Sequence, residues 1–228
     1  MRWLTPGGLV AACAVGVAVA WGLGWPALVP LAAFFVSGSL LSQLAERRGP
    51  RRTVRQVVAN GGVAALAALF GSWTAAMGAI AAAAADTWAT EIGALSPFPP
   101  RLITSGQRVT RGTSGGITLL GTLGAVAAAG AIAALATVLR PRGAPGSAAL
   151  IMTAGIIGML VDSLVGATLQ GKYECPACDA RFERGNTVCH EPVRLVRGWR
   201  WLDNDAVNFV ATLTGTAVCV LGLRLSPP

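Results

Sequence analysis

Nearly all of this chain is divided into apolar runs about as long as a bilayer is thick. Residues 8–24, 26–45, 117–139, 148–170 and 206–224 each carry at most one charged residue. The Ala- and Gly-rich stretch 56–93 holds two further segments, with a turn expected at Gly71-Ser72-Trp73. Crossing a hydrocarbon core of about 30 Å takes roughly 17–25 helical residues. Lipid offers the backbone no hydrogen-bond partners, so such runs satisfy themselves as helices. The expected fold is an all-α, polytopic transmembrane helix bundle of seven spans. Six spans are the rival, if one short run is re-entrant or if residues 8–24 are a signal peptide ending at Ala18-Val19-Ala20. The chain is 54% hydrophobic and 12% charged, against about 25% charged in soluble domains. No soluble domain of ordinary size fits, so residues 1–228 read as one integral membrane domain with a polar insert at 172–204.

Charge then orients the bundle. The net charge is +8, and the basic residues fall in short segments at Arg2, Arg47–Arg55, Arg101/Arg108/Arg111 and Lys172–Arg200. Counted along seven spans, these segments share one face, and only Arg140, Arg142 and Arg224 fall outside it. The positive-inside rule makes that face cytoplasmic, with the N-terminus inside and the C-terminus outside. The expected location is the plasma membrane of a prokaryote. Basic clusters between spans report topology first, and no nucleic-acid partner is expected.

Against this apolar background the carboxylates stand out. Ala85-Asp86-Thr87-Trp88-Ala89-Thr90-Glu91-Ile92-Gly93 ends the fourth run, and Asp162 lies within the sixth. An aspartate at mid-membrane costs roughly 2.5–3.5 kcal/mol and is a functional residue by default. Asp86, Glu91, Asp162, Asp203 and Asp205, half of the ten acidic residues, all fall near the cytoplasmic face. Asp86 and Glu91 are about 140° apart around a helix, so they need not touch one ion. Gly158 and Gly166 flank Asp162 and leave space for a neighbour or a ligand. Asn204 and Asn208 are one turn apart at the start of the last run, where Asp203 either caps the helix or joins the site. Asn60, before Gly61-Gly62, is a further polar interruption.

Carboxylates at an aqueous face suit Mg²⁺, which takes one or two of them together with phosphate oxygens. Beside them Arg111-Gly112-Thr113-Ser114-Gly115-Gly116 opens the fifth run. Glycines and hydroxyls at a helix N-terminus either simply start the helix or cradle an anion, with Arg101, Arg108, Arg111 and Lys172 nearby. In the insert, Cys175-Pro176-Ala177-Cys178 and Cys189-His190 have the make-up of a structural Zn²⁺ knuckle. The adjacency of Cys189 and His190 is awkward for two ligands of one ion. Cys13 and Cys219 read as packing residues.

The ordered motifs Ala85–Gly93, Pro100-Arg101-Leu102-Ile103-Thr104, Gly112–Thr118, Asp162–Gln170 and Leu202-Asp203-Asn204-Asp205-Ala206-Val207-Asn208 resemble the family of transmembrane protein nineteen and plant phytyl-phosphate kinase. The resemblance runs from about Gln56 to the C-terminus. It implies a membrane kinase that converts an isoprenoid monophosphate, phytyl-like or prenyl, to its diphosphate with CTP or ATP. Asp86, Glu91, Asp162 and Asp205 would then be catalytic, and the same four with Asp203 would hold Mg²⁺. Asn60, Arg101, Arg108, Arg111, residues 112–116, Lys172, Asn204 and Asn208 would bind phosphates. Two alternatives use similar groups: a lipid-phosphate transporter or flippase, and a CTP-dependent transferase making a CDP-activated lipid.

Overall fold

The computed structural model describes residues 3–44, 51–144, 146–178, 180–182, 187 and 189–225. Arg2, Arg47 and Arg48, on which part of the orientation argument rests, lie outside the described residues.

Among the described residues seven helices form, and the local sequence accounts for where several of them begin. The first, α1, spans Pro6–Leu23, with proline in its opening turn and the Thr5 hydroxyl accepting from the Gly8 amide. A single 3₁₀ turn at Trp25–Ala27 leads into α2, Leu28–Leu44. Helix α3, Val54–Leu69, opens on a capping box in which Thr53 and Gln56 bond each other's backbone, satisfying two otherwise orphaned amides. Then follow α4, Trp73–Ala94; α5, Leu119–Val138, capped by Thr118; α6, Ala148–Thr168, capped by Ser147; and α7, Asn204–Leu225. Five helices are long and apolar enough to cross a membrane: α1, α2 with its leading turn, α5, α6 and α7. Helix α3 has 16 residues, a rise of about 24 Å. The outward faces of the bundle are apolar, with Val10, Val17, Leu123, Leu164, Leu213 and Leu221 all exposed, as expected where lipid is the neighbour.

Helix α4 is the axis of the molecule. Every residue from Trp73 to Ala85 is buried, and α2, α3, α5, α6 and α7 all pack on it. Its alanines and glycine are what allow so many neighbours to close in, since transmembrane helices associate through small residues. A Cβ on Gly78 would come within 2.6 Å of the Gly215 carbonyl, and one on Gly215 within 2.4 Å of the Gly78 carbonyl, so α4 and α7 touch backbone to backbone. Gly158 serves the same purpose, facing Ala82 and Ala211; of the two uses expected for the space beside Asp162, this one goes to neighbouring helices. At the far end of the axis the buried Trp73 indole donates to the Ala136 carbonyl at 3.2 Å. Trp73→Phe removes that donor and is expected to cost about 1–2 kcal/mol, measurable as a lowered Tm of the detergent-solubilised protein.

The polar connections are not plain loops, which amends the all-α expectation. Residues 101–117 hold a two-stranded antiparallel pair, β1 (Arg101–Leu102) with β2 (Gly116–Ile117). The insert after α6 forms a three-stranded sheet in the order β4-β3-β5, from β3 (Lys172–Glu174), β4 (Arg181–Phe182) and β5 (Arg194–Arg197). Both lie at the end of the bundle where α2, α4 and α6 finish and α3, α5 and α7 start. Among the described basic residues, only Arg140, Arg142 and Arg224 stand at the opposite end. Exposed indoles mark both ends. Trp199 and Trp201 stack at 5.4 Å beside the insert, and Trp21 and Trp25 project at the other end.

Candidate functional site

A cavity of about 970 Å³ opens at the end of the bundle that carries the two small sheets, large enough for an organic ligand. The C-terminal end of α4 forms one wall. Asp86 lies eight residues before that helix end, a depth of about 12 Å, and it lines the cavity together with Thr87, Thr90 and Glu91. Both faces of the helix end reach the space, so Asp86 and Glu91 serve one cavity despite their angular separation. Opposite them stands Asp162 of α6, again with Ser163 and Gly166. Among the described residues these three carboxylates do not form a group within reach of a single ion. That spread suits a cation held by one or two carboxylates and by ligand oxygens, and does not suit an all-protein cage.

The amides predicted for the site do assemble. Asn60, Asn204 and Asn208 line the cavity. In the amide orientation that satisfies its neighbours, Asn208 donates to Asp162 Oδ1 at 3.2 Å and accepts from Asn60 Nδ2 at 3.3 Å. A chain of hydrogen bonds thus runs from α3 through α7 to the α6 carboxylate and fixes its direction.

Two aspartates expected in the metal set go elsewhere. Asp203 is 2.7 Å from the Arg55 guanidinium, and its Oδ1 accepts from the Ala206 amide, capping α7. Asp205 lies 3.8 Å from the same arginine. Neither carboxylate lines the cavity; Arg55 at the start of α3 lies beside both.

The 111–116 loop also differs from expectation. Gly112, Thr113, Ser114, Gly115 and Gly116 line the cavity, but they are not the N-terminus of α5. Two residues separate Gly116 from that helix, and Thr118 caps it by accepting from the Gly121 amide. The loop is instead held over the cavity by packing on α6. Gly115 has φ +79, and a Cβ there would strike Ala167 at 2.4 Å and the Ser163 carbonyl at 2.6 Å, so only glycine fits. Of the cations expected here, Arg111 lines the cavity while its guanidinium donates to the Ala94 and Ser96 carbonyls, closing the end of α4. Arg101 donates to Gly106 at 2.8 Å within its own hairpin. Arg108, paired by backbone with Arg101, is exposed. Lys172 reaches the Ser114 carbonyl at 3.5 Å and ties the insert to the loop. None of these last three lines the cavity.

Several lining groups went unnoticed in the sequence. Arg52 sits over the Phe34 and Phe35 rings at 6.0 and 5.2 Å and faces the cavity. Burial pushes its guanidinium pKa down, and the nearby Glu91 charge works against that shift. An arginine nonetheless stays cationic. Glu91 Oε1 accepts from Ser42 at 2.6 Å, while Oε2 is buried with no protein partner. The Trp3 Nε1 and Gln170 Nε2 donors, which belong to two further lining residues, are buried and unpartnered as well. Buried groups of this kind are rare in folded proteins, and both donors share the cavity with Arg51 and Arg52. The only sequence signal for Arg52 was its place in a basic cluster, which the topology argument had already used.

Outside the cavity the insert brings Cys175, Cys178, Cys189 and His190 together, with one ligand atom of each within 4.8 Å of the others. The backbone bends at Cys189 and His190 and turns both side chains the same way, His190 Nδ1 lying 3.3 Å from Cys189 Sγ. The adjacency that looked awkward is accommodated. Backbone amides of Glu191, Ala177 and His190 pull the Cys175 thiol down to about 6, against an opposing effect of burial.

The chain is similar to known proteins over most of its length. The chain is 32% identical to an uncharacterised membrane protein of Methanocaldococcus jannaschii, over 96% of this chain and 86% of that one. It is 30% identical to Protein PGR of Arabidopsis thaliana, over 80% and 76% of the two chains. It is 27% identical to Protein VTE6, chloroplastic, of the same plant, over 96% of this chain and 65% of that one. No solved structure matches. Residues 1–216 match the family described as integral membrane protein DUF92. With that match and the two plant relatives behind the motif resemblance, the chain belongs to this family of integral membrane proteins, the one that includes transmembrane protein nineteen and plant phytyl-phosphate kinase.

Proposed function

We propose that the cavity binds the phosphate of an isoprenoid monophosphate and a nucleoside triphosphate, CTP or ATP, and transfers the terminal phosphoryl group between them. One observation carries the reading. Asp86, Glu91 and Asp162 share a single cavity with Arg51, Arg52 and the glycine loop, at one end of an otherwise apolar bundle. An oxygen of the lipid monophosphate bonds to the terminal phosphorus as the bond to the nucleoside diphosphate breaks. The products are a lipid diphosphate and a nucleoside diphosphate. The acceptor oxygen is already ionised near neutral pH, so no strong general base is required, and positioning with charge neutralisation carries the rate. One or two of Asp86, Glu91 and Asp162 would hold Mg²⁺ together with phosphate oxygens, and the ion would supply charge neutralisation on the transferring group. Arg52, held on two aromatic rings, and the donors of Trp3 and Gln170 orient phosphate oxygens. The 112–116 loop covers them. The prenyl tail lies between helices in the bilayer.

The concentration of arginines around the cavity supports a cytoplasmic opening in a prokaryotic plasma membrane, the side on which nucleotides are available. A transporter would distribute polar groups across the whole thickness, and here they gather at one end. The test uses purified protein with phytyl, geranylgeranyl or farnesyl monophosphate, each nucleotide, and Mg²⁺ present or absent. Lipid diphosphate with released nucleoside diphosphate is the expected result. Release of pyrophosphate would mean a transferase forming a CDP-activated lipid. Absence of product from every pair would overturn the kinase reading.

A further inference from the structure

The insert after α6 is too small to hold itself together by apolar burial. It runs for about 33 residues, and domains below about 40 residues generally need a disulfide, a metal or a partner. Every residue of β5 is exposed, and among the described residues of the insert the buried side chains are Tyr173, Cys175 and Leu202. Its base is nevertheless fitted closely to the cavity. The Gly171 amide donates to the Leu202 carbonyl and the Trp199 amide to the Leu169 carbonyl. Gly198, at φ +76, leaves room for nothing larger, since a Cβ there would meet the Gln170 backbone. Gln170, 2% exposed, is thereby pressed into the cavity wall.

We propose that Cys175, Cys178, Cys189 and His190 bind one structural Zn²⁺, which stabilises the insert and through it the seat of Gln170. The geometry carries the proposal. Zn–S bonds of about 2.3 Å set at tetrahedral angles separate the donor atoms by about 3.8 Å. Cys178 and Cys189 Sγ are 3.5 Å apart, Cys189 Sγ and His190 Nδ1 3.3 Å, and the whole set lies within 4.8 Å. The Cys175 amide donates to the Ala180 carbonyl at 2.9 Å and the Cys178 amide to the Cys175 carbonyl, turning Cys175-Pro176-Ala177-Cys178 into a knuckle with both thiols on one side. Three thiols and one imidazole form a closed set with no place for water, so the site is structural. Binding releases the thiol protons to solvent and couples metal affinity to folding of the insert. The proposal stands whether or not the cavity transfers phosphate.

The experiment uses the full chain, purified in detergent under reducing conditions and dialysed against metal-free buffer. Elemental analysis is expected to find one zinc per chain, lost in Cys178→Ser and kept in Cys13→Ser. Replacement of zinc by cobalt(II) in the unaltered protein is expected to produce thiolate-to-cobalt charge-transfer bands with tetrahedral d–d bands, a readout that does not depend on any variant folding. Stripping the metal is expected to speed tryptic cleavage at the exposed Arg194, Arg197 and Arg200 by at least about tenfold, as the insert opens locally. Zinc content unchanged in Cys178→Ser, or no thiolate bands with cobalt, would each overturn the assignment.

Discussion

Asp86→Asn and Asp162→Asn are each expected to lower the rate of phosphoryl transfer by at least about 10²-fold, as the loss of one preorganised charge-stabilising group does elsewhere. Asparagine keeps the shape of the side chain and some of its hydrogen bonding, so the unfolding temperature of both variants should stay near that of the unaltered protein. Asp205→Asn is the control that makes the result specific. Its carboxylate sits by Arg55 outside the cavity, and most of the activity should remain. Equal losses in all three variants would place the metal set elsewhere. Full activity in Asp86→Asn and Asp162→Asn would sink the proposed function.

The second large effect concerns stability. Gly215→Val puts a branched side chain where α7 meets the Gly78 carbonyl of α4, a contact of backbone on backbone with no flexible group to move aside. Overpacking usually costs about 1–3 kcal/mol and occasionally more, and this site belongs at the upper end. The expected reading is a fall in Tm of roughly 6–12 °C, at about 2–4 °C per kcal/mol for a chain of this size. Gly130→Ala supplies the comparison, because a Cβ there meets only Met152 Sδ at 4.0 Å, and its Tm should barely change. An unaltered Tm in Gly215→Val would mean that α4 and α7 do not cross as described.

The helices were legible in the sequence from the length of their apolar runs. The hydroxyl caps at Thr5, Thr53, Thr118 and Ser147, a second signal present in the sequence, emerged only with the structure. Asp86, Glu91 and Asp162 were legible for a different reason: a carboxylate in an apolar run has few bland explanations. Asn204 and Asn208 followed from their helical spacing, and Asn60 from its place as a polar interruption of an apolar run. The short strands carried no such signal. A pair like Arg101–Leu102 with Gly116–Ile117 has no periodicity of its own and exists only because the connection folds back on the bundle. Charged groups in the connections were misjudged through the same gap. Nothing in the spacing says that Arg101 will bond its own hairpin, or that Arg55 will claim Asp203 and Asp205. Arg52 was the reverse case. It sits in the same basic cluster as Arg51 and Arg55, which are exposed, and the tertiary placement of Phe34 and Phe35 beneath it sets it apart.

The exposed indoles bear on how a substrate would reach this site. Tryptophan prefers the headgroup level of a bilayer, so Trp21 and Trp25 at one end, with the stacked Trp199 and Trp201 at the other, set the height at which the protein floats. At that height the end of the bundle that carries the cavity would lie near the lipid headgroups. An amphiphile anchored by its own tail could then arrive by sideways diffusion in the leaflet, with no step through water. The search for it becomes two-dimensional, and turnover would depend on its density in the membrane rather than on its negligible solubility.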